Sequence, residues 1–260
     1  MVCRWTQSPG ASGGLTSMAE PGLGGRSRPP WLGWLVLALV TAVLATSLGV
    51  VRSRRAQTAP PPSRDAHQQI VARVIATKDR PTLIGNSPTR GNPDAPVVLF
   101  VFADFQCPYC AISAAQMKPF VQARTEEMLF VFKHFPLTQI HPEAEAAALA
   151  AWAAGQQGQF WLYHDGLFVH QNRLGEALYL ELATAMGLNL EQFNRDRQSP
   201  AAIAAITADR ALAQELKLQG TPAFIMNDLL IPGGAPIILF EEIFKQVGEA
   251  LAGQTGSPAP

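Results

Sequence analysis

Phe100-Val-Phe-Ala-Asp104-Phe-Gln-Cys107-Pro-Tyr-Cys110-Ala111 decides the fold of this chain. Val97 to Phe102, which runs into it, is apolar and rich in β-branched and aromatic residues, the pattern of a buried strand. Ala111 to Arg124, which follows it, is rich in alanine and reads as a helix. A C-x-x-C therefore sits where a strand turns into a helix. A thiol on a first helical turn feels the positive end of the helix dipole and the unpaired N–H groups there, and both favour the thiolate. The pair reads as reactive.

Two quieter readings compete. Half of a zinc site would need four ligands, and Cys3 is the one other cysteine in the sequence. A structural disulfide would close a ring of four residues, which restrains the unfolded chain by only about 2 kcal/mol, against ~3 kcal/mol for a fifteen-residue loop. Neither has the support that the strand-helix junction gives to redox chemistry.

With 260 residues, 48% hydrophobic and 15% charged, the chain is long enough for one sizeable core plus accessory segments. Twenty basic residues balance twenty acidic ones. That balance, with no basic stripe and no Gly-rich phosphate loop, argues against a nucleic-acid partner.

Residues 1–30 are rich in Gly, Ser and Pro and read as a disordered tail, with Met18 a second candidate start that would leave out Cys3. Trp31 to Val51 carries no charge, six Leu and five Val, long enough to cross a bilayer as a single helix. Eleven Leu and Val at roughly −0.3 to −0.6 kcal/mol each favour insertion by about 3 to 7 kcal/mol. Arg-Ser-Arg-Arg follows at once, which fits a retained anchor better than a cleaved signal. Arg52, Arg54, Arg55 and Arg64 after the span outnumber Arg26 and Arg28 before it, which by the positive-inside rule points the domain at the cytoplasm. An N-terminal anchor ahead of a soluble domain is, however, an export arrangement. The expectation adopted is a single-pass inner-membrane protein with its domain in the periplasm, the alternatives being a cleaved periplasmic form or a cytoplasm-facing one. Residues 52–79 read as a linker, extended through Pro60-Pro-Pro62, with a short helix over Gln68 to Thr77.

The folded domain is expected over 80–252, ahead of a disordered tail at 253–260. Met128 to Phe135 reads as a second buried strand. From His141 the pattern is helical: eight of the eleven residues from Ala144 to Ala154 are alanine, and Phe160 to Val169 and Glu176 to Met186 continue as helices. Pro200 opens another, running to Leu218. Ala223 to Met226 and Leu229 to Ile231 form a hairpin across Asn227-Asp228, and Leu239 to Leu251 is a closing amphipathic helix. The order is β-α-β, a helical block over about 139–197, then β-β-α: an α/β thioredoxin core with an inserted helical subdomain, behind a transmembrane helix. Trp152, Phe160, Trp161 and Phe168 are expected to form the insertion's own core.

Gly91-Asn-Pro-Asp-Ala-Pro96, Asp104-Phe-Gln-Cys-Pro-Tyr-Cys110, Phe135-Pro-Leu137, Gly158-Gln-Phe-Trp161 and Gly220-Thr-Pro-Ala-Phe224 together resemble the DsbA-like thiol-disulfide oxidoreductases. The resemblance covers roughly residues 80–252. It implies that Cys107 is a solvent-facing nucleophile, that Cys110 is the buried resolving thiol, that the two pair as a disulfide, and that Pro222 is a cis-proline preceded by Thr221. A cis X-Pro bond turns the chain sharply and leaves the preceding backbone free to pair with an extended peptide. The family's strong oxidants often carry Pro-His between the cysteines. Pro108-Tyr109 lacks the imidazole, so Cys107 should be less acidic and the disulfide less oxidising. Asp104 is a candidate proton relay to Cys110 or else a turn residue; His134 and His141 read as loop or helix-end residues.

The function so implied is enzymatic: dithiol-disulfide exchange that introduces disulfides into reduced exported proteins, with a membrane redox partner to reoxidise the pair and no metal or organic cofactor. A reductase or isomerase on the same fold is the alternative, and a noncatalytic binding or chaperone domain is the third reading.

Overall fold

The computed structural model describes residues 62–255. The expected tail, the expected span Trp31 to Val51, Cys3, Met18 and the last five residues lie outside that range. Among the described residues no helix is long and apolar enough to cross a membrane.

Five strands form one mixed sheet in the order β1-β3-β2-β4-β5: β1 Thr89–Gly91, β2 Val97–Ala103, β3 Met128–His134, β4 Ala223–Met226 and β5 Leu229–Ile231. The central pair β2 and β3 is parallel, and every other pairing is antiparallel. A parallel pair needs a crossover, here the helix α3 Pro108–Gln122 that the cysteines open. β2 and β3 are buried at every position, which is why they read as continuous apolar runs rather than as alternating ones.

The two-residue period sorts these side chains cleanly. Val97, Leu99, Val101, Met128, Phe130, Phe132, Phe224 and Met226 belong to one cluster, the front. Val98, Phe100, Phe102, Leu129, Val131 and Ile225 belong to the other, the back. The front is covered by α3, by the inserted helices α4 Ala144–Gln156, α5 Phe160–Val169, α6 Glu176–Ala185 and α7 Leu190–Asp196, and by α9 Ile237–Thr255. The back is covered by α1 Arg64–Ala76, α2 Arg80–Ile84 and α8 Pro200–Glu215.

Three expectations change. Among the described residues, packing on the sheet already involves α1, ahead of the expected start near Arg80. Val71, Val74 and Ile75, which fall in the stretch expected to be linker, pack on the back of the sheet, with Val71 fully buried. His67 and Gln68 tie α1 down through the Leu216 carbonyl and the Leu230 N–H. Second, α2, β1 and α7 were not foreseen, being too short to carry a period. β1 is a three-residue edge strand whose Gly91, at φ 102°, lets the Met128 carbonyl approach to where a Cβ would stand only 2.2 Å away. Third, the aromatic residues of the insertion do not form a core of their own. Phe160 and Phe168 pack on Phe132 and Phe105, and Trp161 stacks on Phe130 of β3 at 5.6 Å. The inserted helices lie flat on the front of the sheet, so the core is shared. Trp152 is only half-buried and faces α8 and the end of β3.

Candidate active site

β2 ends at Ala103, and the next four residues make a tight turn in which the Cys107 N–H reaches the Asp104 carbonyl at 3.1 Å. Cys107 is the N-cap of α3 and Pro108 occupies its first turn, where the missing N–H costs nothing. Its side chain makes no capping bond, so the sulfur stays available. Cys110 lies one turn on, and both cysteines are free thiols in this reduced form.

The two thiols differ sharply. Cys107 is drawn down from 9.0 to about 5, chiefly by its hydrogen bond with the Cys110 thiol, against the opposing effect of burial and with help from the Thr221 side chain and then the Cys110 and Tyr109 N–H groups. Burial pushes the Cys110 thiol far above the usual range, and its role as donor to Cys107 adds to the rise. The Asp104 N–H points at Cys110 Sγ from 3.5 Å.

Thr221-Pro222 is a cis peptide bond, as the resemblance implied. The Thr221 carbonyl accepts from Cys107 Sγ at 3.3 Å, which brings the loop against the nucleophile, and Thr221 Oγ1 is buried without a partner. Gly233 makes this possible: a Cβ there would come within 1.9 Å of the Pro222 carbonyl oxygen. The expected solvent-facing Cys107 is corrected by the same contact. The residue is only 4% exposed, because the loop closes over it, while Tyr109 beside it is 72% exposed.

Asp104 is fully buried, and its carboxylate is engaged by groups other than the thiols. It accepts from the Gln106 N–H at 2.7 Å, the Leu137 N–H at 2.9 Å and His141 Nδ1 at 2.7 Å. It shapes the turn that carries Cys107 and ties it to the loop after β3. His141 is thus part of the site's support, and its spacing of 37 residues from Asp104 hid this in the sequence. His134 ends β3 on the front face with neither ring nitrogen hydrogen-bonded, and burial holds it neutral with a pKa of about 3.

Sequence reasoning missed Gln171, which donates from Nε2 to the Phe105 and Cys107 carbonyls at 2.7 and 2.9 Å and so clamps the insertion to the redox turn. It lies in a short 3₁₀ segment that no pattern marks. Among the described residues no cluster of ligand side chains could hold a metal ion.

A strand-helix turn with an acidified N-cap thiol, a protonated partner one turn on and a cis-proline loop against the first sulfur defines the class: a thiol-disulfide oxidoreductase of DsbA-like architecture. The chain belongs to the thioredoxin family, whose model, described as Thioredoxin, matches residues 84–236. A thioredoxin-like oxidoreductase from Silicibacter pomeroyi is 31% identical and aligns over 70% of this chain and 100% of its own, with a TM-score of 0.58. The thiol-disulfide exchange protein alpha-DsbA2 from Wolbachia pipientis shares the fold at 19% identity and a TM-score of 0.64, over 71% of this chain and 100% of that one. Among curated proteins, Na(+)/H(+) antiporter NhaA 3 of Salinispora tropica is 37% identical over 138 residues, 53% of this chain and 21% of its own. Na(+)/H(+) antiporter NhaA 1 of Salinispora arenicola is 32% identical over 74% of this chain and 29% of its own. The chain thus spans less than a third of either antiporter.

Proposed function

We propose that this protein donates disulfides to reduced, exported polypeptides through Cys107-Pro-Tyr-Cys110 while tethered to the inner membrane by Trp31 to Val51, its domain on the periplasmic side. The observation that carries the direction of flow is the depressed Cys107 thiol. A stabilised thiolate favours the reduced enzyme, and that makes its disulfide an oxidant. By the sign of the shift, this preference is complete above the ordinary thiol range and is lost as pH falls through about 5.

In the forward reaction a substrate thiolate attacks Cys107 Sγ of the enzyme disulfide. The Cys107–Cys110 bond breaks, and Cys110 leaves with the electron pair and takes up a proton. A second substrate thiolate attacks the substrate sulfur of the mixed disulfide and expels Cys107 as its stabilised thiolate. The substrate has lost two electrons, and the enzyme dithiol has gained them. The Thr221 carbonyl, released from the Cys107 thiol, is then free to accept an N–H of the extended substrate. A membrane redox partner reoxidises the pair. Tethering supports that encounter by raising the effective concentration, and in the antiporter relatives the matching segment accompanies a membrane transport activity.

Pro108-Tyr109 in place of Pro-His supports a milder oxidant than DsbA, whose thiol titrates near about 3.5 and whose potential is about −120 mV. Reoxidation of reduced ribonuclease, set beside insulin reduction, tests the direction. A donor excels in the first assay and loses it with Cys107→Ala, a reductase excels in the second, and a binding domain ignores both cysteine substitutions. A reporter fused after Pro260 that works only outside the cytoplasm checks the topology, and cytoplasmic activity would make the protein a reductant.

A further inference from the structure

We infer that the proton of Cys110 moves through solvent in a small cavity beneath α3, with His164 as the relay that receives it and Asp165 as the carboxylate that positions His164. This rests on the dithiol-exchange reading and adds its proton path.

Cys110 needs such a path. It is 2% exposed, and it must lose its proton each time it resolves a mixed disulfide. Asp104 does not offer one, since its carboxylate is committed to Gln106, Leu137 and His141. His134 does not either, for it lacks an orienting partner and does not line the cavity.

The cavity lies between α3, α5 and the front of the sheet; its wall is mostly apolar, with Ala114, Phe132 and Phe168 among it, and Cys110, Ser113, Lys118, His164 and Asp165 form its polar part. Its volume of about 40 Å³ has room for a water or two. Most of its wall is apolar, so the water of this proposal sits at the polar end, where Cys110, Ser113, His164 and Asp165 supply the partners it needs.

His164 is built as a base. Its Nδ1 lies 2.9 Å from Asp165 Oδ1, and the other Asp165 oxygen accepts from Lys118 Nζ at 2.6 Å. Bonds from His164 and Lys118 hold the Asp165 carboxyl at about 2, so it is ionised and Nδ1 carries the ring proton. That leaves a lone pair on Nε2, which bonds to no protein group among the described residues. The charged or titratable groups acting on the ring are Asp165, Arg90 and Lys118, with His134 nearby. Burial lowers the imidazole's own pKa against the pull of Asp165, which keeps the ring neutral, so it can hold a proton only in passing.

The step balances without a further oxidant. Cys110 Sγ attacks Cys107 Sγ of a mixed disulfide with a disulfide-bearing partner. The Cys107–Cys110 bond forms, the partner leaves as a thiolate with the electron pair, and the Cys110 proton passes through cavity water to His164 Nε2 and on to bulk solvent at the Lys118 rim. When Cys110 is the leaving group, the same route returns the proton.

Rapid mixing of the reduced full chain with dithionitrobenzoate reads this step directly. One thionitrobenzoate is released when Cys107 attacks, and a second when Cys110 resolves the adduct. His164→Gln should leave the first release unchanged and slow the second about tenfold or more at neutral pH, with the gap closing as hydroxide takes over at high pH. Ala114→Val, which fills the cavity and keeps His164, should slow the second release several-fold, and it carries the test if His164→Gln does not fold. A second release at the wild-type rate in either variant overturns the relay, as does slowing by one constant factor at every pH. No second release from the wild type would instead overturn the dithiol reading, and this inference with it.

Discussion

A buried pair behind the central sheet and the redox thiols in front of it are stabilised in opposite ways. On the back, Lys133 and Asp209, 3% and 5% exposed, are matched at 2.9 Å, and Asp209 also accepts from Ser87 Oγ and the His134 N–H. Burial still lifts the Asp209 carboxyl above its usual range, against the pull of Lys133. On the front, His134 is held neutral, Cys110 is held protonated, and the Cys107 thiolate is favoured by hydrogen-bond donors with no cation among the causes. The difference is one of purpose. A matched pair locks β3 to α8, whereas a thiolate stabilised by dipoles alone remains a nucleophile and a leaving group.

The largest effect that tests this contrast is Cys107→Ala, which should reduce ribonuclease reoxidation to the uncatalysed rate. Cys110→Ala should instead accumulate mixed disulfides on Cys107, visible on non-reducing gels. Asp209→Ala strands a buried ammonium and should cost about 3–5 kcal/mol in urea unfolding, yet leave the Cys107 titration in place. If that titration moves, the faces are coupled and the contrast fails. His134→Leu sharpens the front side. With its folded pKa of about 3 below the ordinary 6.5, His134 adds stability that is complete above 6.5 and erodes as pH falls towards 3. At about 1.4 kcal/mol per pH unit, about 2 kcal/mol of that has gone by about pH 5, and His134→Leu should flatten the stability profile there. The smallest effect is Tyr109→His. The residue is exposed, so screening holds its influence on the Cys107 pKa to under about one unit.

Strands β2 to β5 and the bounds of α5 were legible because each is a run whose burial follows from its own residues. The cysteine pair and Pro222 were legible because the chemistry is local in the chain. What sequence left unread depends on groups far apart. The direction of the Asp104 carboxylate is set by Leu137 and His141, the covering of Cys107 by Thr221, and the clamp on the redox turn by Gln171. Trp161 illustrates the same point within the insertion. Its ring answers to Phe130 and Arg90 and its N–H to the Thr89 carbonyl, all outside the helical block in which it was expected to pack. Burial of α1 was obscured by the proline-rich stretch before it, which drew the linker boundary too far along the chain.

Thiolate absorbance of the reduced full chain, titrated beside Cys107→Ala, tests the central claim most directly. The account predicts one ionisation near about 5 that vanishes in the variant, with Cys110 silent until far into alkali. A Cys107 that titrates near the ordinary 9.0, together with Cys110, would contradict it.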